Sequence, residues 1–423
     1  MAAEAPVAPL DPPIRSWTPG RQFSLAAYWF STNFLWAAML TVLLPTEVLR
    51  FVPAARAPAA VGLLTAAGAA TALLVHPLAG VLSDRTAFAH ALARRVPWLH
   101  GRRRPYFLAG ALASLVALFA MAFVTGYTPL VIAFVVLELA SNVTLAPYQA
   151  LIPDLVPEER RGTASGYMGL MSMLGTIFSL GLAAIFVHPG ITRPFYIWLI
   201  AAVAIGAGVT LWKVPERDAP AAKSPFWVPF RDHADFWWVF LTRALIMLAF
   251  YTVLAFLEYY LKDVLGLKNY VLATTEVSGI TVLVAAVLAL RAGSLSDRLD
   301  RRALVSGAGL LMGLVAAAFA LTRSFSVVLA FAVVFGLGYG AYTSVDWALA
   351  VDVLPGGGNS AAKDFGIWSI SITLPQVVAP AIGGLLVTIF NAASPNLGYR
   401  LVFGLTFLYA LAGSLLIWKV KRR

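Results

Sequence analysis

Gly80-Val-Leu-Ser-Asp84-Arg85 and Gly293-Ser-Leu-Ser-Asp297-Arg298 are two versions of one hexapeptide. Each closes a long apolar run and opens a cluster of arginines. A second echo follows in each half: Ala150-Leu-Ile-Pro-Asp154-Leu-Val-Pro157 and Ala348-Leu-Ala-Val-Asp352-Val-Leu-Pro355. The first pair stands 213 residues apart and the second 198, a difference of 15 that matches one insertion, Thr86 to His100. Without it, Arg103 and Arg104 fall on Arg301 and Arg302. The chain therefore reads as two copies of one unit, and duplicated halves around a midplane site are a common plan for membrane carriers.

The unit is a membrane unit. The chain is 60% hydrophobic and 12% charged, with mean hydropathy +0.81 over 423 residues, whereas soluble domains carry about 25% charged residues. Apolar runs of about 20 residues are long enough to cross a ~30 Å hydrocarbon layer as helices. Twelve are predicted, near residues 24–45, 59–82, 105–124, 128–152, 163–187, 194–213, 236–260, 270–292, 303–322, 327–352, 366–390 and 399–419. The expected fold is all-α and integral to the membrane, with twelve transmembrane helices in two pseudo-symmetric six-helix bundles. The expected organisation is a cytoplasmic tail (1–23), a first bundle (24–212), a cytoplasmic linker (213–235) and a second bundle with a short basic tail (236–423).

A net charge of +11 would suit nucleic acid, but its placement argues otherwise. With both termini in the cytoplasm, 22 Lys and Arg fall in inner segments and 7 in outer loops, while Arg243 and Arg291 lie in or at the end of spans. That bias is the positive-inside rule, and it predicts a multi-pass protein of the cell membrane, as in a bacterial inner membrane. No nucleic-acid motif accompanies the arginines. The absence of cysteine excludes disulfides and thiolate metal sites. No metal-ligand spacing, nucleophile–base set or phosphate loop is present, so no enzyme activity, metal or cofactor is expected.

Ionisable residues within a bilayer are costly and mark function. Glu138 sits near the middle of the fourth span, Arg243 two turns into the seventh and Asp346 in the tenth. With the first and fourth helices of each bundle lining the cavity, all three face it. Glu138, Asn142 and Gln149 share one stripe of the fourth span, with Leu145 between the last two. The first span adds Asn33 and Trp36, the seventh Tyr251, the tenth Tyr342. Aromatic faces beside hydrogen-bonding groups suit a polyhydroxylated ligand; the same residues also serve simple helix packing. Glu138 has no obvious partner within a turn of its own helix. Low dielectric disfavours a carboxylate's charged form, so such a group can hold a proton near neutral pH and couple transport to a proton gradient. Arg243 could pair with either Glu138 or Asp346. His76, eight residues before Asp84, is a possible titratable group or a hydrogen-bonded core histidine. Asp84, Arg85, Arg103, Arg104, Asp154, Asp297, Arg298 and Asp352 are placed to form interdomain salt bridges at the cytoplasmic mouth.

Over essentially its whole length the chain resembles the major facilitator superfamily. Within it, His76-Pro-Leu-Ala-Gly80-Val-Leu-Ser-Asp84-Arg85, followed by Gly101-Arg-Arg-Arg-Pro105, resembles the Q-P-L-V-G-x-x-S-D-R and G-R-R-R-P segments of sucrose–proton symporters. These belong with the glycoside–pentoside–hexuronide cation symporters. The fourth span, Glu138-Leu-Ala-Ser-Asn142 through Pro147, Gln149 and Asp154-Leu155, is similar to their D-L-A-N-N segment without a gap. The resemblance implies that Glu138 carries the coupled proton. It also sets Gln149 where the family has a sugar-binding arginine, which points away from sucrose itself, with Arg243 offering a cation from the other bundle. His76 stands where the melibiose branch has a carboxylate, which argues against a sodium site of that type. The expectation is a monomeric, proton-coupled sugar or glycoside symporter working by alternating access. The alternatives are proton-coupled efflux of drugs or metabolites, and a non-transporting membrane receptor or assembly factor.

Overall fold

A computed structural model describes residues 18–53, 56–85, 102–188, 191–216, 227–355 and 360–421. Most of the expected N-terminal tail, the whole 86–100 insertion and the middle of the expected linker lie outside the described residues.

Among the described residues twelve helices are long and apolar enough to cross a membrane: α1 (Pro19–Leu49), α2 (Ala60–Arg85), α3 (Arg104–Ala122), α4 (Tyr127–Leu155), α5 (Glu158–Phe186), α6 (Arg193–Lys213), α7 (Ala234–Asp263), α8 (Leu272–Ser296), α9 (Arg301–Leu321), α10 (Phe325–Asp352), α11 (Ala361–Ala393) and α12 (Leu397–Lys419). They are the twelve expected spans, with ends moved by a few residues. The driving force is elementary: in hydrocarbon a backbone N–H finds no water, so a spanning apolar segment must satisfy its own hydrogen bonds. The protein is a multi-pass membrane protein.

Two helices are interrupted where proline withholds an N–H. In α1 the α-helical ladder widens into a π turn at Met39–Leu43, just before Pro45. In α4 the ladder breaks at Ala150, between helical segments Tyr127–Gln149 and Leu151–Leu155. There Pro153 cannot donate to the carbonyl of Gln149, four residues back.

The packing repeats with the sequence. In the first half α1 packs on α5 and α6, α2 on α4, and α3 on α4 and α6; in the second, α7 packs on α11 and α12, α8 on α10, and α9 on α10 and α12. The halves meet along two related seams, α2 on α11 and α8 on α5. These seams are closed only at the end bearing the repeated hexapeptides. Residues 361–369 of α11 are all buried, but Leu374, Gln376, Val377, Pro380, Ala381 and Ile382 are exposed. At the closed end Gly80 lies against the backbone of Ala362, and Gly293 against Gly162 and Gly166. Towards the other end a β-carbon added at Gly62 of α2 or Gly279 of α8 would meet nothing within 4 Å. The duplicated bundles are thus shut at the charge-rich end and parted at the opposite one.

Candidate functional site

Two polar groups lie within the membrane-spanning helices, one in each half. The first belongs to α4. Glu138 is half-buried, and Asn142, one turn on, donates from Nδ2 to its Oε2 at 3.2 Å and to its backbone carbonyl at 2.8 Å. This corrects the expectation that Glu138 lacks a partner within a turn. Asn142 Oδ1 lies 3.1 Å from Nδ1 of His76 on α2. Gly68 makes this juxtaposition possible, since a β-carbon there would meet Phe134 and the Glu138 carboxylate.

The second group joins α7 to α10. Arg243 Nε lies 3.3 Å from Asp346 Oδ2, and Tyr342 donates to Asp346 Oδ1 at 3.1 Å. Of the two carboxylates open to Arg243, the structure pairs it with Asp346; among the described residues no ion pair joins it to Glu138. The guanidinium lies 3.3 Å from the ring centroid of Trp368 on α11. Its Nη1 is buried and makes no hydrogen bond. A cation over an aromatic face retains electrostatic stabilisation while leaving its edge free to donate.

Beneath both groups the halves touch through aromatic rings. Trp29 of α1 meets Trp347 of α10 edge-on, centroids 5.0 Å apart, and Trp347 meets Trp368 at 4.6 Å. Gln149 is buried and accepts from Ser369 of α11 at 3.5 Å. Tyr251 packs edge-to-face on Phe250, which stacks on Tyr339. Two expected site residues have their contacts inside the first half. Asn33 donates to the Trp29 carbonyl and accepts from Ser172 of α5, so both ends of its amide are engaged. Trp36 packs edge-on against Phe134.

The charged loops form two related constellations, built differently from the expected interdomain salt bridges. Their ion pairs lie mostly within each half. Arg103 binds Asp84 at 2.5 Å and Asp154 at 3.2 Å; Arg301 binds Asp352 and Asp297. Across the seams, the acceptors meet backbone. Asp84 Oδ2 accepts the N–H of Lys363, in the first turn of α11, at 2.7 Å. Asp297 accepts the N–H groups of Gly162 and Thr163, in the first helical turns of α5, at 2.7 and 2.9 Å, and the Thr163 hydroxyl at 2.6 Å. Among the described residues an ion pair also crosses, Arg161 to Asp352 at 3.5 Å. Helix N-termini carry unsatisfied donors and partial positive charge, so a carboxylate needs no cationic side chain to bind there. Arg85 and Arg298 are exposed. Arg104 donates to the carbonyl of Val214 at 2.8 Å.

Glu216, just past α6, caps α3 by accepting the backbone N–H groups of Arg103 and of Arg104, the latter at 2.8 Å. Burial pushes its carboxyl up to about 7, although those N–H groups and the Arg103 charge favour the ionised form. Burial opposes the charge on Arg103 too, but Asp154 and Asp84 outweigh it and hold that group above its usual range. Trp347, Trp368, Ser369 and Glu216 complete the site and were not among the expected residues. Of these only Glu216 left a signal, as an acid at the end of an apolar span facing an arginine cluster.

The family model described as the Major Facilitator Superfamily matches residues 23–362 and, a second time, 277–423. Over 172 residues the chain is 31% identical to a sucrose transport protein of Oryza sativa subsp. japonica, a stretch covering 36% of this chain and 32% of the rice protein. Over 181 residues it is 28% identical to the general alpha-glucoside permease of Schizosaccharomyces pombe, covering 36% of this chain and 30% of the permease. These matches span less than a third of either relative's length. Among solved structures, a bacterial homologue of the iron transporter ferroportin in an outward-facing state superposes with TM-score 0.74 at 15% identity, over 96% of this chain and all of that one. At that identity the likeness shows the fold.

Proposed function

Because the chain belongs to the major facilitator superfamily, we propose that it is a proton-coupled symporter of a sugar or glycoside, working by alternating access. The observation that carries this reading is Glu138: a carboxylate in the middle of a membrane-spanning helix, hydrogen-bonded to Asn142 and without a counter-ion among the described residues. Its charge can be neutralised by a proton, in contrast to Asp346, which already has Arg243. The partial likeness to a sucrose transport protein and an alpha-glucoside permease supports a sugar as cargo. So do the free edge of Arg243, the Tyr342–Asp346 pair and the aromatic rings around them, which offer donors, acceptors and stacking faces.

In this reading the substrate enters from the parted end and settles between α1, α4, α7 and α10 above the Trp29–Trp347 contact, with Asn142 and Gln149 as further hydrogen-bonding partners. Protonation of Glu138 and binding of substrate together favour occlusion. The Asp84 and Asp297 contacts then release, and the charge-rich end opens. By the positive-inside bias that end is cytoplasmic, both termini with it, and the monomer is the working unit in a cell membrane. Of the residues expected at the gate, Asp84 and Asp297 act here as a latch of carboxylates on helix N-termini.

The test is uptake into liposomes under an imposed inward proton gradient, with a labelled glycoside panel. Glu138→Gln is expected to exchange substrate across the membrane but to lose gradient-driven accumulation. Full accumulation in that variant would sink the proton assignment. A folded protein that moves no sugar would sink the cargo assignment and favour export of another solute through the same cavity.

A further inference from the structure

Among the described residues His76 is the one buried imidazole in contact with the Glu138 cluster, and the bonds around Asn142 fix what it can do. Both amide hydrogens of Asn142 are used by Glu138, one on its backbone carbonyl at 2.8 Å and one on its carboxylate at 3.2 Å. Reversing the amide would set its oxygen against that carbonyl, so the orientation is fixed by the backbone. Asn142 Oδ1 can only accept. The hydrogen between it and His76, 3.1 Å away, therefore sits on Nδ1 of the ring. His76 Nε2 is buried and makes no hydrogen bond of good geometry, with the Gln149 side chain the other polar group beside the ring.

We propose that His76 is a positioning residue for the proton site: its Nδ1–H occupies the Asn142 oxygen, so that the amide meets the Glu138 carboxyl only as a donor, which favours the carboxylate form. This deepens the proton-coupled reading and rests on it. Without the imidazole donor, the buried amide oxygen would be left unpaired. The replacement donor already in contact with the Asn142 amide is the O–H of Glu138 in its protonated form. Removing His76 thus favours retention of the proton, and its presence favours release.

No competing charge accounts for this balance. Among the described residues, α2 sets Gly68 and His76 against this part of α4, α1 sets Trp36 against Phe134, and α3 meets it through Gly110 at Thr144. From α11, Ser369 reaches Gln149 and Gly366 lies against Pro77 and the His76 carbonyl. Lys363 and Asp364 pair with each other nearer the closed end, and Asp84 on α2 is held by Arg103. The His76 turn is also where α2 touches α11, so the bond network of the proton site ends on the seam that must part for release.

Infrared difference spectroscopy of the purified protein tests this without any substrate, by following the carboxyl band that disappears in Glu138→Gln as pH is varied. In His76→Leu its titration midpoint is expected to rise by about one pH unit, a roughly tenfold gain in proton affinity, the scale of one hydrogen bond to a charged group. His76→Gln, whose amide can still donate, is expected to keep the wild-type midpoint. An unchanged or lowered midpoint in His76→Leu, or an equal shift in both variants, would overturn the assignment. If His76→Leu does not fold, His76→Met supplies a donor-free side chain of similar volume. The absence of any Glu138-dependent band in the wild type would instead overturn the proton site itself, and this role with it.

Discussion

Replacing Asp297 by Ala removes the acceptor for two backbone N–H groups and one hydroxyl at the start of α5. All three bonds cross between the halves, and all three must break when the charge-rich end opens. Hydrogen bonds to a charged group contribute about 1.5–3 kcal/mol each, but the freed donors are hydrated in the open state and the three do not add. A net loss of about 3 kcal/mol of closure is expected, which lowers the closed-to-open ratio roughly 150-fold. The bundle itself should survive, because Arg301 keeps Asp352. The chain has no cysteine, so labels are free of background. Glu159→Cys and Leu299→Cys, on opposite halves of one polar cleft, can carry spin labels for pulsed distance measurement. Asp297→Ala should add a longer distance absent from the parent, and Asp297→Asn, which keeps an acceptor, should add less of it. A distance distribution identical to the parent's would refute the latch.

Three further outcomes follow from the same geometry. Gly80→Ala puts a β-carbon into the Ala362 backbone whereas Gly62→Ala meets nothing, so the first is expected to open the charge-rich end in a distance measurement across the α2–α11 seam and the second to leave it shut. Arg243→Met strands Asp346 beside Tyr342 and is expected to cost about 3–5 kcal/mol, read as a lower Tm in detergent. Adding Asp346→Asn should recover most of it, and no recovery would mean the pair is not what Arg243 stabilises. Glu216 has a folded-state value of about 7 against an ordinary 4.5, so the stability it contributes is fully present below about pH 4.5 and lost as pH rises through about 7. Tm should fall over that window, and Glu216→Gln should flatten the slope; an unchanged slope would reassign the pH dependence to other groups.

Much of this protein was legible from one dimension. Apolar runs longer than a bilayer is thick can only be helices, because backbone donors have no other partner in hydrocarbon. The repeated Gly-x-x-x-Asp-Arg segments mark two related units, and duplicated chains fold into related packing. Glu138, Arg243 and Asp346 stood out because ionisable groups in such runs are costly enough to be rare. Partners were a different matter, since they are chosen by distance across helices that sequence does not order in space. Arg243 had two carboxylates within plausible reach, and the approach of α7 to α10 selected Asp346. Asp84 and Asp297 were expected to seek arginines in the other half. The close glycine seams instead brought them to the backbone N–H groups of α11 and α5, donors that every helix possesses and no sequence advertises. The sequence by itself thus determined the spans, their duplication and the residues whose burial must be compensated. Only the tertiary structure decided what compensates them, because hydrogen bonds and ion pairs act over a few ångströms and depend on how the helices cross.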